Sequence, residues 1–452
     1  MITRTRREAF RMAAVGGALA LTLAACASGG ETASSAPGSA APDAAARMQA
    51  ALEKGGELSL WAWDPAEKDI VAKFQKDYPK VKVDLQNVGT GNDQYTKLQN
   101  AIKAGRGVPD IAQVEFYAIP QFSITKSLTD LTQFGAGSLD KTFTSGDWGA
   151  SKVGDQILGL PQGAGPMVLF YNKAVFDKYG LTVPTTWDEY VAAARKLHAA
   201  DPKKYITADN GDSGFTASMI WQAGGRPYRV DGTNVTIDFA NPGTQKFTAM
   251  WQPLIDEKLL AKINPWTDEW FQALSDGTIA TLASGAWMPA NLEGSAPKAS
   301  GDWRVTQMPQ YEKGQSVTAQ NGGGGLSIME ASANKDLAYA FLHYAAVGPG
   351  AQSYADTGEF PTQNAILNSP EFLNAAPEYF GGQKINQVLS KAAANVAPGW
   401  QYLPFQPYAN SIFADTAGQA WTSSGTTLEQ GLTGWQDASA KYAEEQGFTV
   451  QK

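Results

Sequence analysis

Aromatic and carboxylate side chains stand at the ends of two predicted strands in the first third of the chain. Trp63 and Asp64 close one apolar run, and Glu115 with Tyr117 closes another. In open α/β sheets the strand ends line the ligand crevice. A flat ring packs against apolar faces, and a carboxylate accepts hydrogen bonds from hydroxyls. These four residues therefore predict a binding site for a ligand that offers both.

Two loops add candidate ligand contacts. Asn92, before a predicted helix, either binds a ligand hydroxyl or caps that helix. The glycine run 322–325 is not followed by Lys-Ser or Lys-Thr, so it is not a phosphate-binding P-loop. We expect Gly323 and Gly324 to bring bare backbone close to the ligand or to the other half of the protein, with simple turn flexibility as the alternative.

Later aromatic residues are further stacking candidates. The chain has 13 tryptophans, 16 tyrosines and 19 phenylalanines, so rings for stacking are plentiful. The candidates are Trp221, Trp270, Trp287, Trp400 and Phe405. Packing in a hydrophobic core is the alternative for each of them.

Catalysis and metal binding are the rival functions. Asp64 and Glu115 could form the carboxylate pair of a secreted glycoside hydrolase, which would release reducing sugar. His198 and His343 are the only histidines, and both lie in helical patterns, where a surface or satisfied histidine is the commoner role. We predict no catalytic residue, no metal ligand and no cofactor.

The order of elements around these residues predicts an α/β fold. Apolar runs at 58–63, 81–85 and 111–115 are typical of strands, and helical periodicity separates them. Strands alternating with helices form layered α/β lobes. Farther on, Thr186 and Glu189 have capping-box spacing, which predicts a helix start where Trp187 packs inward.

The amino terminus has the organisation of a signal peptide over residues 1–25. Four arginines precede an apolar run of 14 residues, and small residues lead into Cys26. That run is too short to span a bilayer, which requires roughly 20 residues. Arg6 and Arg7 resemble a twin-arginine export signal, with Phe10 one place later than in the usual pattern.

Cys26 is the only cysteine and ends a segment, Leu23-Ala24-Ala25-Cys26, that resembles the bacterial lipobox. We therefore expect lipidation of Cys26, which anchors the mature chain to the outer face of the cytoplasmic membrane. An incidental apolar residue in a signal sequence is the alternative. Residues 26–56, rich in Ser, Ala, Gly and Pro at their start, are predicted to be a flexible tether.

Size and charge limit the remaining possibilities. The chain has 452 residues, of which 43% are hydrophobic and 18% charged, so we expect two lobes with substantial cores. The net charge is −8, and residues 1–25 carry +3, which leaves −11 on the mature part. An acidic surface disfavours nucleic acid and anionic lipid headgroups. Membrane contact is then expected through the lipid anchor only.

Several segments, taken in order, resemble the family 1 extracellular solute-binding proteins of bacterial ABC importers, which include maltose-binding protein. The resemblance spans about residues 57–450. The segments are Tyr95-Thr96-Lys97-Leu98, Pro109-Asp110, Leu160-Pro161, Leu169-Phe170-Tyr171-Asn172-Lys173, Thr186-Trp187, Gly285-Ala286-Trp287, Leu326-Ser327-Ile328 and Phe360-Pro361-Thr362. Residues 403–432 are similar to actinobacterial members that carry oligosaccharides.

The resemblance implies a periplasmic-binding-protein-like type II fold, with two α/β lobes joined by a hinge and the ligand in the cleft between them. By analogy, 57–163 and 310–360 form the first lobe, and 164–309 and 361–452 form the second. The expected function is capture of a mono- or oligosaccharide by a monomer. Delivery to an ABC permease would follow, with the ATPase on a separate chain. A binder of a non-sugar solute is the alternative.

Overall fold

The computed structural model describes residues 44–423 and 425–451. The predicted signal peptide 1–25, the predicted lipidation site Cys26 and the start of the predicted tether lie outside these residues. Within the described ranges, no helix has both the length and the apolarity that a membrane crossing requires.

Strands are distributed over the described residues from Gly56 to Gln451, and they alternate with helices through the first half of the chain. The strands are β1 Gly56–Trp61, β2 Val81–Gln86, β3 Ile111–Glu115, β4 Lys152–Val153, β5 Gln156–Ile157, β6 Leu160–Asn172, β7 Thr207–Ala208, β8 Tyr228–Asp231, β9 Asn234–Ile237, β10 Leu260–Ala261, β11 Thr281–Gly285, β12 Trp303–Gln307, β13 Gln320–Ile328 and β14 Thr449–Gln451.

Helices dominate the last quarter of the chain. The α-helices are α1 Ala44–Lys54, α2 Ala66–Asp77, α3 Asn92–Ala104, α4 Ile119–Ile124, α5 Ser145–Ala150, α6 Lys173–Lys178, α7 Trp187–Ala200, α8 Ser213–Gln222, α9 Pro242–Asp256, α10 Asp268–Ser275, α11 Met288–Ser295, α12 Lys335–Ala346, α13 Ala351–Asp356, α14 Asn364–Leu367, α15 Pro370–Asn374, α16 Ile385–Ala393, α17 Gln406–Ser411, α18 Gln419–Thr422 and α19 Leu428–Glu445. Short 3₁₀ helices lie at Leu131–Phe134, Ala136–Leu139, Pro297–Ala299 and Glu378–Phe380.

One large sheet runs through the protein in the strand order β11-β6-β13-β3-β1-β2, and β12 also pairs with β6. β1 is parallel to β2 and β3, as expected for strands joined by helices. β13 is antiparallel to both β3 and β6. The first half of β6, residues 160–166, pairs with β13, and its second half pairs with β11 and β12. A single long strand therefore connects two groups of strands.

Separate hydrophobic cores surround these two groups. The core of the first lobe takes its residues from 58–160 and 326–354. A core of the second lobe takes its residues from 167–319 and 403–443, and an adjoining cluster includes Phe170 and Phe380. Because each group of strands buries its apolar faces in its own core, the predicted α/β fold with two lobes is confirmed.

One lobe boundary lies at a different residue from the one that was predicted. The resemblance predicts that residues 310–319 belong to the first lobe, but they pack against the second. Trp187 N donates to Gln310 O at 3.0 Å, and Thr318 N donates to Asn395 O at 3.0 Å. Ala319 is buried in the core of the second lobe. The chain therefore returns to the first lobe along β13, about ten residues later than predicted.

The last part of the predicted tether is a helix. α1 packs against α12, and Met48, Ala51 and Leu52 lie against the core of the first lobe. Arg47 forms an ion pair with Asp336 at 3.4 Å. The prediction of a tether through residue 56 is therefore wrong from Ala44 onward. The i, i+3, i+4 spacing of these apolar residues gives the segment a face that can be buried.

The predicted start of α7 is confirmed in detail. Glu189 N donates to Thr186 Oγ1 at 3.2 Å, and Thr186 N donates to Glu189 Oε2 at 3.2 Å. This reciprocal pair is a capping box and satisfies two backbone donors that the helix start would otherwise leave free. Trp187 is only 1% exposed, so its predicted packing role is confirmed too.

Candidate ligand-binding site

Glu115 ends β3 and lies among tyrosines. Its backbone N–H donates to the Tyr95 hydroxyl oxygen at 2.8 Å, and that hydroxyl donates to Glu115 Oε2 at 3.2 Å. The Tyr117 ring lies edge-on to Tyr95, with centroids 5.8 Å apart. The Tyr117 hydroxyl donates to Asn92 Oδ1 at 3.4 Å. The structure therefore brings together three predicted residues, and Asn92 makes no capping bond to α3.

Trp63 joins this group through Tyr95. The two rings are edge-on with centroids 6.1 Å apart, and Trp63 is half-buried. The backbone N–H of Trp63 donates to Gln113 Oε1 at 3.0 Å, which fixes the end of β1 against β3. The ends of two parallel strands thus place Trp63 and Glu115 at one edge of the sheet.

The pKa of the Glu115 carboxyl is raised, so the group stays protonated to a higher pH than an exposed glutamate does. Burial raises the pKa of Glu115 to about 7, and repulsion from Asp212 adds to this, while hydrogen bonds from Tyr117 and Tyr95 act in the opposite direction. Among the described residues, no lysine or arginine is one of the groups that shift this pKa. A carboxyl without a compensating cation is free to accept hydrogen bonds from a neutral ligand.

Trp287 of the second lobe comes close to Glu115 at Gly322. Trp287 precedes α11, is half-buried, and donates its Nε1–H to the Asn321 carbonyl oxygen at 2.7 Å. A Cβ on Gly322 would lie 3.1 Å from Trp287 Nε1 and 3.8 Å from Glu115 Oε1. Gly322 also has φ +76°, a conformation that favours glycine. The bare backbone of Gly322 therefore borders both a carboxylate and an indole.

The start of α8 contributes polar groups that the sequence analysis did not identify. Asp212 caps α8, accepting a hydrogen bond from Phe215 N at 2.6 Å. Surrounding protein raises its pKa even though its side chain is exposed, as expected for a carboxylate in a concavity. Asn321 Nδ2 donates to Ser218 Oγ at 3.3 Å. The sequence Asp-Ser-Gly is a helix N-cap signal, and it could have indicated the position of Asp212.

Gly323 and Gly324 lie where β13 passes between β3 and β6. A Cβ on Gly324 would lie 2.6 Å from Val114 O, and a Cβ on Gly323 would lie 3.1 Å from the Phe116 ring. These two glycines let β13 lie close to β3 and its following turn. Gly322 is the residue of the glycine run that borders Glu115 and Trp287.

Trp221 and Trp400 form a stacked pair. Their ring centroids are 5.0 Å apart with planes 7° from parallel. Trp221 is only 8% exposed and donates its Nε1–H to Ala397 O at 2.7 Å, so its predicted ligand-stacking role is wrong. Trp400 is half-buried and lies 6.1 Å from Tyr402, whose ring lies 6.3 Å from Tyr117. Tyr402, which the sequence analysis missed, connects Trp400 with the Glu115 group.

Replacing Trp221 by phenylalanine is expected to lower the free energy of unfolding by about 1 kcal/mol, because the Ala397 carbonyl loses its donor. Ligand affinity should stay within about twofold of wild type, since the ring that remains still supports Trp400. Urea denaturation and calorimetry measure the two quantities. A tenfold loss of affinity at unchanged stability would show that Trp221 does contact the ligand.

Trp270 and Phe405 are core residues, so the prediction that they stack on a ligand is wrong. Trp270 is 2% exposed and lies on the inner face of α10 with Ala273 and Leu274, at helical spacing. Phe405 is 4% exposed, and its ring lies 5.4 Å from that of Tyr442. Both rings fill volume inside the second lobe.

Asp64 belongs to a different cluster of carboxyls. Its Oδ2 accepts a hydrogen bond from the Tyr354 hydroxyl at 2.9 Å, and its Oδ1 accepts one from Ala66 N at 3.0 Å. Burial raises the pKa of Glu67 to about 8, and repulsion from Asp64 contributes. Burial and Asp64 also raise the pKa of Glu359. Asp64 thus bonds to Tyr354 rather than to the tyrosines around Glu115.

Neither histidine is part of the candidate site. His198 Nδ1 lies 3.1 Å from Lys204 O, and burial lowers the pKa of His343. In the part of the chain that the structure describes, no group of three or more His, Cys, Asp or Glu side chains could hold a metal ion.

Two α/β lobes joined by continuous strands, with aromatic and carboxyl groups from both lobes meeting between them, define a two-lobed solute-binding protein. Residues 62–352 match the model of a family described as bacterial extracellular solute-binding protein. The chain belongs to this family. The expected family and its fold are therefore confirmed.

Proteins similar to this chain bind carbohydrates. The arabinooligosaccharide-binding protein of Halalkalibacterium halodurans is 26% identical over 75% of this chain and 78% of that protein. The ABC transporter associated binding protein from B. animalis subsp. lactis Bl-04, in complex with β-1,6-galactobiose, is 43% identical with a TM-score of 0.84, covering 88% of this chain and 99% of that one. The galacto-N-biose-/lacto-N-biose I-binding protein from Bifidobacterium longum is 26% identical, with a TM-score of 0.76 over 88% and 99%.

Proposed function

We propose that this chain is the carbohydrate-binding subunit of a bacterial ABC importer. It binds a neutral mono- or oligosaccharide between its lobes and delivers the sugar to permease subunits in the membrane. The observation that carries the proposal is the pair of Glu115 and Trp287, which both border Gly322. A carboxylate accepts hydrogen bonds from sugar hydroxyls, and an indole packs on the C–H face of a sugar ring.

Two features favour a neutral sugar over other solutes. The described groups that act on Glu115 are carboxyls and tyrosines, so an anionic ligand would meet repulsion from Glu115 and Asp212. The named ligands of the similar proteins, arabinooligosaccharide, β-1,6-galactobiose and lacto-N-biose, are all carbohydrates. The exclusion of anionic sugars is a consequence of these carboxyls alone.

The binding mechanism depends on contact with both lobes. Glu115 is held by β3 of the first lobe, and Trp287 follows β11 of the second. A sugar that touches both groups stabilises the arrangement in which they are close, because only differential affinity shifts a conformational equilibrium. Rotation about a few backbone torsions where β6 and β13 pass between lobes provides the movement.

The chain acts outside the cytoplasm and catalyses no reaction. We propose that lipidated Cys26 anchors it to the outer face of the membrane, as a monomer with no other membrane contact. Transport then needs a permease and an ATPase on separate chains. The twin-arginine route of export is proposed from Arg6 and Arg7.

Calorimetry with neutral mono-, di- and trisaccharides tests this function. We expect saturable binding of at least one neutral sugar and a matching rise in melting temperature, since a ligand at 100 times its Kd adds about 2.7 kcal/mol to stability. The same sugars carrying a carboxylate or phosphate should bind far more weakly. Chromatography should recover the sugar unchanged, and release of reducing sugar would contradict a pure binding role.

A further inference from the structure

Trp266 has two features that are unfavourable for a structural tryptophan. Its side chain is 55% exposed, and among the large hydrophobic side chains of the described residues only Ile124 is equally exposed. Its φ is +68°, in the left-handed region that a bulky side chain rarely adopts. Backbone strain of this kind persists where the surrounding structure enforces it, and it concentrates at ligand-binding positions.

Trp266 lies beside the candidate site rather than elsewhere on the surface. Its ring centroid is 5.6 Å from that of Trp287, with the planes 31° apart. Trp287 in turn borders Gly322, which borders Glu115. These residues form a row that starts at a half-buried carboxyl, continues through a half-buried indole, and ends at an exposed one.

A role in starting α10 accounts for only part of this arrangement. Thr267 caps α10, so Trp266 holds the position before the cap, and its ring lies 6.2 Å from Phe271 in the first turn. Such a pair is a hydrophobic staple, which fixes the entry angle of the chain. A staple needs an apolar side chain, but it needs neither an exposed indole nor a left-handed backbone.

The surroundings of Trp266 suit a sugar better than an apolar protein surface. Its exposed neighbours along the chain are Asn264, Thr267 and Asp268, all of them polar. Asn264 Oδ1 accepts a hydrogen bond from Asn210 Nδ2 at 2.8 Å, which holds an amide side chain two residues before Trp266. A flat ring bordered by hydrogen-bonding groups matches the apolar face and polar rim of a pyranose.

We propose that Trp266 forms an outer subsite that binds the second ring of an oligosaccharide whose first ring lies between Glu115 and Trp287. This inference rests on the proposed function and narrows it. The ligand class becomes an oligosaccharide of at least two rings, and a monosaccharide occupies the inner position only.

Two variants of similar apolar size separate stacking from the staple. Trp266→Leu keeps an apolar side chain for the Phe271 contact and the same backbone strain, but it removes the flat ring. We expect it to weaken binding of a disaccharide roughly tenfold and of the matching monosaccharide less than twofold. Trp266→Phe keeps a flat ring, so disaccharide affinity should stay within about threefold of wild type.

The measurements are calorimetric titrations of both variants and the wild type with a mono-, di- and trisaccharide of the same sugar, together with melting temperatures. Equal loss of affinity for all three sugars, or no loss for any, would overturn the outer subsite while leaving the proposed function standing. A wild-type protein that binds none of a broad sugar panel would overturn the proposed function, and the subsite with it.

Discussion

Replacing Trp287 by alanine is expected to weaken carbohydrate binding by about 1 to 3 kcal/mol, which is roughly a fivefold to 150-fold loss of affinity. The indole is half-buried and borders both Gly322 and, through it, Glu115. Its removal takes away the apolar surface on which a sugar ring packs. Isothermal titration with a disaccharide at 25 °C measures the loss.

Trp287→Phe is the matched control. Phenylalanine keeps a flat ring but cannot donate to the Asn321 carbonyl, which accepts the Trp287 Nε1–H at 2.7 Å. We expect an intermediate affinity and a slightly lower melting temperature. If Trp287→Ala binds sugar as well as the wild type and only melts earlier, the indole supports the fold and does not contact the ligand.

Glu115→Gln is expected to stabilise the ligand-free protein at pH 8. Burial raises the pKa of Glu115 from 4.5 to about 7, so the folded protein resists ionisation of this carboxyl. The stability that depends on its protonated form is complete below pH 4.5 and is lost as the pH rises through 7. The free energy of unfolding of the variant should exceed that of the wild type by at most about 3 kcal/mol. Solvent access to this half-buried group makes the difference smaller.

Urea denaturation of both proteins at pH 5 and pH 8 checks this prediction. The two stabilities should lie much closer together at pH 5 than at pH 8, because at pH 5 the wild-type protein has lost only a small part of this stability. Glu67, with a pKa raised to about 8, titrates over a similar range in both proteins. The difference between variant and wild type therefore isolates Glu115. A variant that is less stable than the wild type at pH 8 would contradict the prediction.

The same substitution should weaken sugar binding, so stability and affinity move in opposite directions. Hydroxyls donate more strongly to an ionised carboxylate, and a charge-assisted hydrogen bond contributes about 1.5 to 3 kcal/mol. Wild-type affinity should rise between pH 5.5 and 8, whereas the affinity of Glu115→Gln should stay flat. Calorimetry across this pH range measures both slopes. If the sugar affinity of the variant rose with pH in the same way, the titrating group would be a residue other than Glu115.

Local sequence patterns predicted the helices and strands well, because these elements form through interactions between residues that are close in sequence. The strands that include Leu60 and Ile111 follow from apolar runs, and the start of α7 follows from the spacing of Thr186 and Glu189. The lobe boundary at residue 310 was wrong because the bonds from Trp187 and Thr318 join residues distant in sequence. No nearby signal marks such contacts.

The candidate site was predicted in part for the same reason. Glu115 and Tyr117 could be proposed from the sequence because the ends of neighbouring parallel strands meet at one edge of a sheet. Trp270 was misjudged because its type is compatible with both a core and a ligand surface, and tertiary packing decides between them. Asp212 and Trp266 were missed because each has a local role at a helix start. That role conceals the position of Asp212 near Glu115 and of Trp266 beside Trp287.

The position of β13 has a consequence for how the protein is made. β13 is the last strand of the large sheet to be synthesised, yet it lies in the middle, between β3 and β6. Until Ile328 has left the ribosome, β3 and β6 have no partner on their facing edges. Unpaired edges invite aggregation, and contacts between distant residues slow folding. The large sheet therefore cannot be completed until β13 has been translated.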